Sequence, residues 1–468
     1  MKVFDSSPNE AAVFLDIIND NDTLVFYGLS DDSDGIQGIG FYRIDTFGNV
    51  LNMKVIVDPD KTLTTSYDAF KKIIKTSDGN YAMIGTTDGG NYFLKVNKNL
   101  ELLSYVYYPW DIYTSNASLV EDESGFLIVL AKEQPNNSLA DDVLLIKTDM
   151  NGQELWRKEH GTYEFGESPR EIIKVNNNNY LICGGYYRPP ADFFDFLLWS
   201  SSYFLSIDSS GNELWNWHSD TTNIRGLANR VFLLADSSWL YSGITWEWND
   251  GGYTMRPMLV RMDKNFNIMW EQFFGYLGQF QGWQDLNQTP DGNFIVSGYA
   301  DLVTTLAYPK AVHYKFSPEG DSIWLRQDSM YTWDHMRIMG TAVLSSGSII
   351  SIGFNRDGPY GETGFIMKLT RDGCLDTLNC FPVMTHNPVT VIESMKIYPN
   401  PADESIKIEL PVKGIRPTRI KVTNLQGQVV MDLKSMDGEV DVSRLSSGFY
   451  SVEVITKNRW FLGKFIKM

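Results

Sequence analysis

The sequence predicts an all-β protein: a seven-bladed β-propeller followed by a small C-terminal β-sandwich. Three observations predict it. A strand–turn–strand unit recurs seven times at near-constant spacing, helical periodicity is nearly absent, and the last 74 residues break the repeat and reverse the charge.

The repeat is anchored by an apolar strand that ends in a polar turn residue. It reads Phe41-Tyr-Arg-Ile-Asp45, Tyr92-Phe-Leu-Lys-Val-Asn97 and Leu144-Leu-Ile-Lys-Thr-Asp149 in the first three copies. Four further copies end at Asp208, Asp263, Ser317 and Thr370. Successive anchors lie 52, 52, 59, 55, 54 and 53 residues apart, the range of a four-stranded blade. A Gly follows at Gly48, Gly152, Gly211, Gly320 and Gly373, where a tight turn needs positive φ. The next strand carries Trp156, Trp215, Trp270 or Trp324, rings large enough to wedge between neighbouring blades. The Asp-x-x-Gly-x-x-x-Trp spacing at 149–156 and 208–215 is similar to that of quinoprotein-type propellers, which bears on architecture and implies no quinone.

A turn and an apolar strand precede each anchor, as in Asp78-Gly-Asn-Tyr-Ala-Met-Ile-Gly85 and Asp291-Gly-Asn-Phe-Ile-Val-Ser-Gly298. One more apolar segment lies before each turn, giving four strands per repeat. In such a meander, turns 1–2 and 3–4 share one face, and loops 2–3 and 4–1 share the other. The first set is short and polar. The second is long and aromatic, and long loops on a rigid scaffold are where function usually sits.

Composition narrows the function. Aromatic residues reach 13%, which suits pleated sheets. A net charge of -18 repels phosphate backbones, so nucleic acid is excluded as a partner. No apolar run is long enough for a transmembrane segment, and residues 1–9 hold no signal-peptide core. Of three cysteines, Cys374 and Cys380 flank a turn and are candidates for one disulfide, while Cys183 sits in an apolar strand as a small buried side chain.

The domain reading is a propeller over 1–380, a Pro-containing linker over 381–394, and a separate domain over 395–468 with 12 basic and 8 acidic residues. Alternation at 406–410 and 451–455 marks antiparallel strands with one wet face. The segment opens with Tyr398-Pro-Asn-Pro401, then has Leu425-Gln-Gly-Gln428, a strand from Leu445 to Tyr450, and a basic last strand. In that order these motifs resemble the type A C-terminal sorting domain of the Bacteroidetes type IX secretion system. The resemblance implies a β-sandwich, handling by the type IX machinery, and a secreted or outer-membrane surface-attached product. It places Lys464 and Lys467 at the family's terminal basic positions; the bland reading is Lys guarding an edge strand.

Catalytic chemistry is hard to find. The five histidines make no zinc spacing, and phosphate loops and nucleophile elbows are absent, so no metal or cofactor is expected. The acidic run at 31–35 misses the calcium-loop pattern and reads as a surface turn. Asp68, Glu167 and Asp334 precede innermost strands and are the carboxylates available to a polysaccharide-active enzyme. Binding is favoured over catalysis. The candidate ligand residues are Tyr186, Phe193, Phe194, Trp199, Trp246 and Trp248 on the longest loops 2–3, with Trp110, Trp283 and Trp333 around the rim. Exposed there, such rings would hold an extracellular glycan or protein; otherwise they fill gaps between blades.

Overall fold

The computed structural model describes residues 2–3, 13–375 and 392–468, apart from 33, 66–70, 111, 135–136, 163–164, 188–199, 220–225, 250–251, 275–280, 301–309, 329–334, 359–360, 411–416, 418, 425–428, 435–438 and 456–459. The chain is all-β, with no helix among the described residues. It divides into two compact units, 1–271 with 277–386, and 387–468 with 272–276.

Among the described residues, seven sheets follow one another along the first unit. The first is an antiparallel meander of Val13–Asp20, Thr23–Asp31, Gln37–Ile44 and Val50–Ile56. Five more repeat this order between residues 63 and 328, the second with two short strands, Leu63–Thr64 and Ile73–Lys75, pairing with Tyr81–Thr87. The seventh takes three strands from 336–369, and its fourth is the N-terminal Lys2–Val3, which pairs with Ile366 and Phe365. The first strand of each sheet contacts the first strand of the next, and that of the seventh returns to that of the first.

The recurring turn owes its shape to local chemistry. The Asp149 Oδ1 accepts from the backbone N–H of Asn151 and of Gln153, both at 2.8 Å, and Gly152 takes φ 82°. Asp45, Asp208 and Asp263 hold the same turn. Where Gly is missing, Leu100 and Phe266 adopt the left-handed conformation themselves, at φ 61° and 65°. The tryptophans pack toward the following sheet. A Cβ at Gly211 would lie 2.5 Å from the Trp156 ring, and Trp324 donates its indole N–H to the Arg371 carbonyl at 3.2 Å.

A basic residue two positions before six of the seven anchors, with Ser206 in the fourth, adds a second tie. Lys95, Lys147, Arg261 and Lys315 are buried and pair with Asp78, Asp122, Asp236 and Asp291 of their own sheets. Lys95, Arg261 and Lys315 also donate to carbonyls of the next sheet's turn, at Met150, Pro318 and Arg371. Lys368 of the seventh sheet donates to the Thr46 carbonyl of the first at 2.7 Å.

The second unit has two sheets around one apolar core that includes Ile406, Ile420, Val452 and Phe465. One runs Ile392–Ser394, Trp460–Lys467, Gly448–Ile455, Arg419–Asn424, Val429–Leu433; the other is Lys396–Tyr398, Ser405–Glu409, Glu439–Asp441. The strand Ile392–Ser394 falls inside the expected linker; three residues are too short to show an alternation. Asn400 binds the last strand through the Lys464 carbonyl at 3.1 Å and the Ile466 N–H at 2.9 Å.

Candidate functional site

The first strands carry a buried polar network that the sequence reading missed. In several of these strands the register slips by one residue, as between Phe14 and Asp16, Pro169 and Glu171, Ala228 and Arg230, and Trp283 and Asp285. Each slip brings a charged side chain to a neighbouring first strand. Asp16 accepts from the N–H groups of Lys72 and Ile73, Glu171 from Val231, and Asp285 from Thr341. Arg230 bridges Glu171 at 3.0 Å and Asp285 at 2.6 Å. Burial raises the Asp16 and Glu171 carboxyls above the usual range against the pull of Arg230. Burial also opposes the Arg230 charge, but Asp285 and Glu171 hold it firmly protonated. With a backbone N–H on each carboxylate, the network ties sheets together and leaves no free acid–base pair.

The face bearing loops 2–3 and 4–1 holds two further groups. The first lies between sheets three and four. Glu167 is 3% exposed, and Thr162 reaches its carboxylate only at 3.3 and 3.4 Å. Burial pushes its carboxyl up to about 8, Thr162 opposing and Asp142 adding to it. Tyr186 lies nearby, stacked on Phe165 at 4.9 Å and on His218 at 4.4 Å.

The second group is a recess of about 80 Å³ between sheets two and three. Its floor includes Leu130, Leu144 and Ile146, and its walls Trp110, Lys132 and Glu159. Trp110 is half-buried, with Tyr113 edge-on at 4.8 Å, and its indole N–H donates to the Asn91 Oδ1 at 2.7 Å. Lys132 and Glu159 form an ion pair at the rim.

Of the expected ligand residues, Trp110 lines this recess. Tyr186 is partly exposed and stacks on the protein's own Phe165 and His218 rings. Trp246 is 5% exposed among Leu227, Ile244 and Met255, and Trp283 is fully buried, so both rings pack beneath the face. The stretch 246–253, expected as a long loop, instead extends a hairpin, with Trp246 opposite Met255 and Trp248 opposite Tyr253. The alternation Trp-Glu-Trp-Asn before Asp250-Gly251 is a strand-and-turn signal that the aromatic content masked. The Trp248 side chain, Phe193, Phe194, Trp199, Trp333, Asp68 and Asp334 lie outside the described residues.

Asp32 caps its own turn through the N–H groups of Asp34 and Ile36, as a surface turn requires. Cys374 is disulfide-bonded and Cys183 is free and buried; Cys380 lies outside the described residues. Lys464 is exposed, whereas Lys467 is buried with its ammonium 3.3 Å from Asp403.

Residues 396–468 match the family described as a secretion system C-terminal sorting domain. No curated protein matches the chain. Among solved structures, the β-propeller domain of the trilobed protease from Pyrococcus furiosus aligns at 11% identity and TM-score 0.39, over 76% of this chain and 97% of that one. A puromycin-hydrolysing peptidase of Mycobacterium tuberculosis aligns at 10% and 0.47, over 95% and 57%. A variant of the Synechocystis apocarotenoid oxygenase aligns at 9% and 0.44, over 82% and 93%. The C-terminal domain directs the chain through the type IX secretion system to an extracellular or cell-surface location.

Proposed function

We propose that this chain is a seven-bladed β-propeller of Bacteroidetes origin that binds a glycan or protein ligand outside the cell, with a C-terminal β-sandwich serving its export. The seven serial sheets, the cyclic contacts of their first strands and the Lys368–Thr46 tie from the seventh sheet to the first support the ring. The domain limits are 1–380 and 395–468, and Lys464 is the basic residue presented to the sorting machinery. The binding reading rests on one observation: the long-loop face of an exported chain carries a formed recess beside the half-buried Trp110. On the sequence reading, Trp199, Trp248 and Trp333 are further candidate ligand residues.

A glycan array probed with the full chain tests the reading. A reproducible saccharide hit that Trp110→Ala weakens about tenfold, with the melting temperature unchanged, is the expected result. Absence of any ligand, or binding indifferent to Trp110, would count against it. A second reading, hydrolysis of a polysaccharide, draws on the raised Glu167 carboxyl, the property of a general acid. Turnover of an array ligand that Glu167→Gln abolishes would move the assignment to an enzyme.

A further inference from the structure

One face of sheet three forms an apolar hollow with a charged rim. Leu130 pairs with Leu144 and Leu144 with Glu159, while Ile146 pairs with Arg157 one row along. Directly paired residues project to the same side of a sheet, and Lys132 joins them two positions beyond Leu130. Trp110, half-buried, closes the recess from the side of sheet two. We infer that this recess is a subsite for the C6 methyl group of a 6-deoxyhexose, a statement that rests on the ligand-binding reading above.

The inner end of the recess suits a methyl group and no polar one. Leu130, Leu144 and Ile146 present only carbon to it. Asn91 offers nothing there: its Oδ1 already accepts from the Trp110 indole and the Thr114 hydroxyl, and its Nδ2 has no accessible surface. The Tyr108 hydroxyl donates to the Gly152 carbonyl at 2.6 Å. A ligand hydroxyl at that depth would leave water without gaining a partner. The volume of about 80 Å³ equals roughly three waters, room for a methyl and the ring carbon that bears it but too little for a whole sugar.

The rim defines what surrounds the methyl. Arg157 donates Nε and Nη2 to Glu154 at 2.8 and 2.6 Å, and Lys132 pairs with Glu159, so each cation has its own carboxylate. Arg157 and Glu159 are still 39% and 49% exposed. Sugar hydroxyls both donate and accept, and can therefore lie against Arg157, Lys132 and Glu159 together. A ligand carboxylate would find both cations already matched and would meet Glu159. An aliphatic protein side chain would cover these charges without replacing their water. The C–H face of the sugar ring then rests on Trp110.

The probes are the methyl glycosides of fucose and rhamnose, of their parent hexoses galactose and mannose, and of the matching uronic acids, each titrated into the full chain. Within a series the members differ only at C6, which carries a methyl, a hydroxymethyl or a carboxylate. In at least one series the 6-deoxy sugar should bind at least tenfold more tightly than the other two. Arg157→Ala and Glu159→Ala, both at exposed positions, should each weaken its Kd about tenfold without moving the melting temperature. Equal or tighter binding of the hexose or the uronate in both series, failure of every glycoside to bind, or a Kd that neither substitution changes would overturn the inference. In each of those cases another saccharide hit sensitive to Trp110 would leave the general binding reading standing, and its absence would remove both.

Discussion

Glu167 and His313 place opposite limits on stability against pH. The folded-state value of Glu167, about 8, lies above its ordinary 4.5, so the folded chain holds this proton longer than the unfolded chain. Its contribution therefore falls as pH rises from about 4.5 to about 8. Glu167→Gln is expected to remove that slope and to raise stability at pH 9 by at most about 5 kcal/mol, read from urea denaturation across pH. His313 is buried against the Ser351 hydroxyl at 2.8 Å, and burial pushes it down to about 3 from 6.5. Its neutral form is the folded one, so stability is lost as pH falls from about 6.5 toward 3. Trp246→Ala, in a ring now seen to be buried, should cost about 3–5 kcal/mol in the same assay. A melting temperature unchanged by that substitution would return Trp246 to the ligand surface.

The turns were the most legible elements, because their determinants lie within five residues of each other. Asp149 and Gly152 define one of them, and the spacing of the pair announces it. Gly152→Ala would impose positive φ on a side chain and place its Cβ 2.3 Å from the Phe93 ring, so a loss of at least about 1 kcal/mol is expected. The reverse substitution is informative at Phe266. Relief of its left-handed strain is worth roughly 1 kcal/mol. Phe266→Gly also removes the ring stacked on Trp217 at 5.2 Å, and the net effect should be destabilising. Illegible elements were those whose partners are remote. Arg230 meets residues 59 and 55 positions away, and nothing local distinguishes it from any strand arginine. The hairpin extension at 246–253 was obscured for another reason: its aromatic content suggested a ligand loop, while its period of two gave the correct answer. Within the recess, Trp110 was identifiable as an aromatic residue on the long-loop side, but Asn91 was not, since its pairing with Trp110 and Thr114 joins residues 19 and 23 positions away.

At the scale of the whole chain, deletion of 395–468 should leave the first unit folded and confined to the periplasm when it is expressed behind a signal peptide. Immunoblotting of periplasmic and surface fractions checks this, and normal surface display would refute it. The Asn400 clamp predicts a milder lesion. Asn400→Ala frees the Lys464 carbonyl and the Ile466 N–H from one shared side chain, and should loosen the last strand by about 1 kcal/mol, measured as faster amide exchange at Ile466. The pairing of Lys2–Val3 with Ile366 and Phe365 also sets a timetable. Lys2–Val3 finds its partners only after some 360 more residues have been made, roughly 20–70 s later at bacterial elongation rates. Throughout that interval the strand that Lys2–Val3 pairs with has not been made. The seventh sheet therefore gains its fourth strand only after residues 361–369 have been made, and a delay of that length is built into the topology.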